Sequence, residues 1–171
     1  MSVLALLAAT AAAVAPLPDP IGPASGGQLQ CYAPDRARKT CASLSGYAFG
    51  ADGAIVNSAV VLISRSPRIT MATAAPVTIK DGRVCGAMQL RDLDAATFVY
   101  DDVAADEAKT AELREAVKKA YGAIMGHEIC TAFVPDGGGL TARITEDGLP
   151  KPGLDERVIW VSPADGYKVS P

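Results

Sequence analysis

Five Asp-Gly dipeptides punctuate the chain: Asp52-Gly53, Asp81-Gly82, Asp136-Gly137, Asp147-Gly148 and Asp165-Gly166. Aspartate and glycine tolerate the positive φ that tight hairpin turns demand, so these pairs favour short antiparallel strands over long helices. Extended-type segments flank most of them. Ala42 to Phe49 leads into Asp52-Gly53, and Ala54 to Ser64 leads out, with the β-branched run Ile55-Val56 and Val60-Val61-Leu62-Ile63 reading as a central strand. Ile69 to Ala75 reads as the next strand. Val77 to Lys80 and Arg83 to Leu90 form a second hairpin about Asp81-Gly82, and Thr97 to Tyr100 a short strand. After a helical stretch, Glu128 to Val134, Leu140 to Thr145 and Arg157 to Val161 return to strand character.

One helix interrupts this pattern. Within residues 103–125, Leu113, Ala116, Val117, Ala120, Tyr121 and Ile124 fall on a single stripe at helical period, and Lys109, Glu112, Arg114, Glu115, Lys118 and Lys119 occupy the other face. Asp101 or Asp102 is placed to cap its start, and Gly122 and Gly126 mark its end. Strands, one helix, then strands imply an α+β domain: a mostly antiparallel sheet with one amphipathic helix (about 103–125) packed on one face.

The start of the chain reads differently. Leu4 to Ala15 is apolar, alanine-rich and uncharged, the length of a signal-peptide core and short of the roughly 20 residues a membrane span needs. Residues 1–15 are therefore expected to be a secretory signal peptide, with Ala13 or Ala15 before the cut. Residues 16–30, carrying Pro16, Pro18, Pro20, Pro23 and Gly26-Gly27, read as an extended linker. Residues 31–171 make one α+β domain, with no transmembrane segment after leader cleavage.

Four cysteines behind such a leader imply an oxidising compartment and two disulfides. Of the three connectivities, Cys31–Cys41 with Cys85–Cys130 is favoured. The first closes a short loop, and the second ties a strand before the helix to a strand after it. Metal-ligand spacings such as C-x-x-C are absent, and the chain has a single histidine.

The net charge of −3 gives no global reason to expect nucleic acid as a partner. The charge is nevertheless uneven, about +5 over Cys31–Arg91 and −7 over Asp92–Pro171. His127, beside Glu128, is the candidate general base, but no G-x-S-x-G turn supplies a serine nucleophile. Asp92, Asp94, Asp101 and Asp102 form the most acidic stretch and a weak candidate for a hard cation, without an EF-hand pattern. Arg36, Arg38 and Lys39 make the Cys31–Cys41 loop basic; Gly137-Gly138-Gly139 reads as a hairpin tip rather than a phosphate loop; Trp160 reads as half-buried in a strand.

No catalytic, metal or cofactor site emerges from this inventory. The expectation is an exported (periplasmic or secreted), disulfide-stabilised, non-enzymatic binding or interaction module. Its partner is unknown, an envelope protein or polysaccharide being the kind considered. The alternative is a small exported hydrolase using His127 with nearby carboxylates.

Overall fold

The computed structural model describes residues 19–171; the expected signal peptide, residues 1–15, lies outside the described residues. Strand β1 (Leu29–Tyr32) is followed by β2 (Thr40–Cys41), β3 (Ser43–Phe49), β4 (Ile55–Arg65), β5 (Arg68–Lys80) and β6 (Arg83–Gly86). A short helix α1 (Leu90–Asp94), β7 (Thr97–Tyr100), β8 (Val103–Ala104) and helix α2 (Glu107–Tyr121) come next, and a 3-10 turn, Gly122–Ile124, prolongs α2. The chain returns through β9 (Ile129–Asp136), β10 (Gly139–Glu146), β11 (Leu149–Pro150), β12 (Glu156–Val161) and β13 (Lys168–Val169).

The fold is a closed antiparallel β-barrel of eight strands, not an open sheet with a helix packed on one face. Strands β1, β3, β4, β5, β6, β9, β10 and β12 each pair with the next in that order, and β12 pairs with β1 to complete the ring. Strands β7 and β8 extend from the outer part of β5, and β11 from β10. The correction turns on β1. Leu29 to Tyr32, of which Leu29 and Gln30 were assigned from the sequence to the linker, is the strand that joins the two ends of the sheet, Leu29 opposite Val161 and Tyr32 opposite Val158. Once closed, the sheet buries its own inner face and needs no covering helix layer.

Hairpin chemistry orders the two ends. The turns carrying Asp52-Gly53, Asp81-Gly82 and Asp136-Gly137 join β3–β4, β5–β6 and β9–β10 at one end of the barrel. Gly53, Gly82 and Gly137 all have positive φ, as does Asp81. At that end the expected linker packs instead of remaining extended. Gly22–Gly26 forms a 3-10 turn, and Ile21, only 1% exposed, borders Phe49, Ile55 and Ile79.

At the other end sits α2. Its N-cap is Asp106, whose side chain accepts from the Lys109 backbone N–H at 2.8 Å, rather than Asp101 or Asp102. Asp101 and Asp102 lie in the β7–β8 turn with φ of 44° and 68°, so the helix starts later than its apolar pattern suggests. Of the apolar stripe only Leu113 and Val117 are buried, against Leu93, Phe98, Ile69 and Met71. The helix lies at one end of the barrel and does not cover a sheet face.

Strand β5 accommodates a proline in its middle. Ile69 to Ala72 pairs with β7 and Thr78 to Lys80 with β6, and Pro76 lies between these two stretches, where its missing N–H breaks no ladder on that side. The same junction is tight: a Cβ on Gly86 would stand 3.0 Å from Val77 Cγ1 and 3.2 Å from the Pro76 carbonyl oxygen.

Two disulfides pin the outer wall. Cys31–Cys41 and Cys85–Cys130 form, the favoured pairs, with Cα separations of 5.4 and 4.1 Å. Cys85 and Cys130 are direct partners in the β6–β9 register. Cys31 and Cys41 sit in a second small core with Ile159 and Val161, against which Tyr167 packs, while β13 pairs in parallel with β2.

Candidate functional site: a cavity inside the barrel

Side-chain alternation along the strands directs one set of residues inward. Tyr32, Tyr47, Asn57, Val61, Met71, Ala75, Val84, Thr131 and Phe133 come from six different strands, and together they line a cavity of about 370 Å³. At its helical end the cavity meets Val117, Tyr121, Ile124 and Met125. Tyr121 and Ile124 remain substantially exposed, which makes this end the mouth. Among the described residues, none that lines the cavity carries a formal charge.

The polar groups of the interior gather on β1, β3 and β4, with Thr131 of β9 on the facing wall. Gln30, completely buried, accepts at Oε1 from the hydroxyls of Tyr47 (2.9 Å) and Tyr32 (3.2 Å). Its Nε2 is a buried donor with no partner among the described residues. Asn57 Nδ2 donates to Ser45 Oγ at 2.6 Å and to the Gly46 carbonyl at 3.1 Å, which holds its amide against the cavity wall. Burial pushes both phenols above their ordinary pKa. For Tyr32, the neighbouring Tyr47 and Glu156 add to that effect. Both hydroxyls are therefore neutral and hydrogen-bonding at physiological pH.

Glu156 shares this inward face. The register places it beside Ala142 on β10, which in turn opposes Phe133 on β9. Its carboxyl is raised above the ordinary range by desolvation, and no basic group pairs with it among the described residues.

The sequence-predicted candidates lie elsewhere. His127 is 44% exposed at the surface, with Nδ1 2.5 Å from Asp147 Oδ2 and 3.6 Å from Glu146 Oε1. Asp147 also accepts from the Glu128 backbone N–H at 2.9 Å, and these two contacts, the backbone one first, hold its carboxyl below the ordinary range. The Glu128 side chain pairs with Lys80. The arrangement orients an imidazole, but no serine, threonine or cysteine side chain is hydrogen-bonded to it among the described residues.

The acidic stretch is dispersed rather than convergent. Asp92 is buried and caps α1, accepting from the Gln89 backbone N–H at 2.7 Å; Asp94 pairs with Lys118; Asp101 accepts from the Arg68 backbone N–H; Asp102 pairs with the Arg68 side chain. Each carboxylate already has a structural partner, Arg68 serving both Asp101 and Asp102. Cys85, Glu128 and Cys130 do converge, but both sulfurs are spent in the disulfide and are not thiolates. Arg36 and Lys39 donate to the carbonyls of Gly138 and Asp165, and Arg38 pairs with Asp35, so the basic loop is tied to its own surroundings.

Gln30, Tyr32, Tyr47 and Asn57 were not singled out from the sequence. Their signal is a period of two, Gln30-x-Tyr32 and Ser45-x-Tyr47, in which a polar and an aromatic residue share one face of adjacent strands. Comparison with protein-family models, with curated proteins and with solved structures finds no match.

Proposed function

We propose that the protein binds a small, largely apolar molecule inside its barrel, and that it does so after export. The observation that carries this reading is the charge-free cavity of about 370 Å³ with an exposed mouth at the end of α2. Eight-stranded barrels have interiors just wide enough either to be filled by side chains or to hold one small ligand, and ligand sites fall in the range of roughly 300–1,000 Å³. The small side chains of Ala75, Ala87 and Gly86 leave the space open on one wall. A polysaccharide fits this interior poorly, because its hydroxyls would face Val61, Met71 and Val84 without hydrogen-bond partners.

Two disulfides support an oxidising compartment, the periplasm or the exterior. N-terminal sequencing of the protein recovered from its producing cells tests the export element: loss of at least residues 1–13 is expected, and an intact Met1 contradicts it.

The binding reading is tested with a neutral apolar fluorophore, N-phenyl-1-naphthylamine, titrated with the purified oxidised protein. Saturable enhancement at one site is expected. Ala75→Phe, which puts a ring into the cavity, should weaken it at least tenfold while circular dichroism stays unchanged. Absence of enhancement, or enhancement that Ala75→Phe leaves untouched, overturns the cavity as the site.

A further inference from the structure

We infer that the ligand is a neutral amphiphile that presents a hydroxyl to the Tyr32–Gln30–Tyr47 cluster, and that the barrel rejects anionic lipids of the same length. This deepens the binding reading and rests on it.

The first part follows from the hydrogen-bond inventory. A phenol offers one donor and two acceptor lone pairs. The Tyr32 and Tyr47 hydroxyls each spend the donor on Gln30 Oε1. Both tyrosines line the cavity, so what they retain for a ligand is acceptor capacity. A ligand that supplies a donor there completes the cluster. A ligand that supplies only an acceptor, such as an ether or ester oxygen, faces two phenol acceptors, and the unpartnered donor Gln30 Nε2 belongs to a residue that does not line the cavity. A site built to meet a hydroxyl discriminates strongly against the analogue lacking it, because its own buried polar groups are then left unpaired.

The second part follows from charge. Fatty carboxylates and phosphates need a cation or several donors when they leave water. The cavity lining contains no lysine, arginine or histidine. An acid, Glu156, lies on the same inward face two positions from Val158, the register partner of Tyr32, and its charge acts on the Tyr32 phenol. An anionic head group would thus meet two phenol oxygens, one of them, Tyr32, within the field of the Glu156 carboxylate. Neutral hydroxyl compounds avoid both penalties while their hydrocarbon body lies along Val61, Met71, Val84 and Phe133.

The test is displacement of N-phenyl-1-naphthylamine from the purified oxidised protein by three probes with one chain: 1-dodecanol, dodecyl methyl ether and dodecanoate at pH 8. The alcohol should compete best, the ether about tenfold more weakly, and the carboxylate more weakly still. Replacing both phenols, Tyr32→Phe with Tyr47→Phe, should bring alcohol and ether to within about twofold of each other, and Glu156→Gln should narrow the gap between alcohol and carboxylate. Equal competition by alcohol and ether in the unmodified protein, or stronger competition by dodecanoate, overturns this inference while leaving the cavity reading intact. Should the double variant fail to fold, Tyr47→Phe alone must still reduce the alcohol-to-ether ratio. A fluorophore that does not bind at all removes the cavity reading and this inference together.

Discussion

Gln30 of β1 stands directly opposite Trp160 of β12, and this pairing lies at the seam that closes the barrel. On its other side Gln30 opposes Ser45 of β3, and its amide oxygen takes both tyrosine hydroxyls. One residue therefore links the closing register to the polar side of the cavity.

Gln30→Leu is expected to destabilise the protein by about 1–3 kcal/mol, since it keeps the apolar bulk but leaves two hydroxyl donors without their acceptor. Urea denaturation checks this. Because Gln30 Nε2 has no partner among the described residues, the loss should fall short of what a fully satisfied buried amide costs. An unchanged midpoint would remove Gln30 as an organising group.

The two disulfides should differ in weight. Cys85–Cys130 closes a longer loop than Cys31–Cys41, with sequence separations of 45 and 10. Loop entropy assigns about 4 kcal/mol to the first and about 3 to the second. The double replacements Cys85→Ala with Cys130→Ala, and Cys31→Ala with Cys41→Ala, measured by chemical denaturation, should follow that order. The reverse order would mean that native contacts of the Cys31–Cys41 core outweigh chain entropy.

Two carboxylates should respond to pH with opposite sign. Desolvation raises Glu156 in the folded state, so its ionisation opposes folding. That cost is absent below the unfolded carboxyl pKa of about 4.3 and develops as pH rises through the higher folded value. Glu156→Gln is accordingly expected to stabilise the protein at pH 7 and to have little effect at pH 3. Asp147 is lowered by the Glu128 backbone N–H and by His127. Its contribution is present above about pH 3.9 and disappears as pH falls through the lower folded value. Asp147→Asn should therefore destabilise at pH 7 and matter little at pH 2. Melting curves of both variants across this range decide the signs.

Gly86→Ala is expected to cost about 1–3 kcal/mol, because the added methyl meets Val77 and the Pro76 carbonyl where β5 and β6 approach closely. Gly153→Ala, with nothing within 4 Å of the new Cβ, is the control and should stay within about 0.5 kcal/mol. Equal effects at the two positions would show that β5 gives way freely.

The local pattern of the sequence locates the elements well and their closure poorly. Ala54 to Ser64, Thr97 to Tyr100 and Leu140 to Thr145 match β4, β7 and β10 closely, since alternation and Asp-Gly turns are properties of neighbouring residues. Closure depends on Leu29 finding Val161, a pairing across most of the chain that no local period encodes. A four-residue strand among glycines and prolines also carries little signal of its own. The helix was visible, but its role was not: Leu113 and Val117 pack on Leu93 and Phe98 at a barrel end, and a sheet face would have shown the same stripe. His127 drew attention as the only histidine, whereas the cavity is lined by residue types common in any strand.

Ring closure also governs how these molecules meet one another in concentrated solution. Open sheets present rows of unpaired amides that recruit strands from neighbouring chains and seed fibrils. Here the barrel's eight strands pair in a ring, the three further strands of the same sheet end, among the described residues, in two-residue margins, Val103–Ala104 on β8 and Leu149–Pro150 on β11, and β2 and β13, which pair only with each other, are two residues long as well. Margins that short, one of them containing a proline, give an incoming strand little to template on. The long strands β4 and β5, charged only at Arg65, Arg68 and Lys80, are the segments with most to gain from such recruitment, and Ile55–Val61 of β4 and Ile69–Ala72 and Thr78–Lys80 of β5 are each flanked on both sides by their own chain. Their aggregation hazard belongs to the unfolded polypeptide and is extinguished when Leu29 reaches Val161.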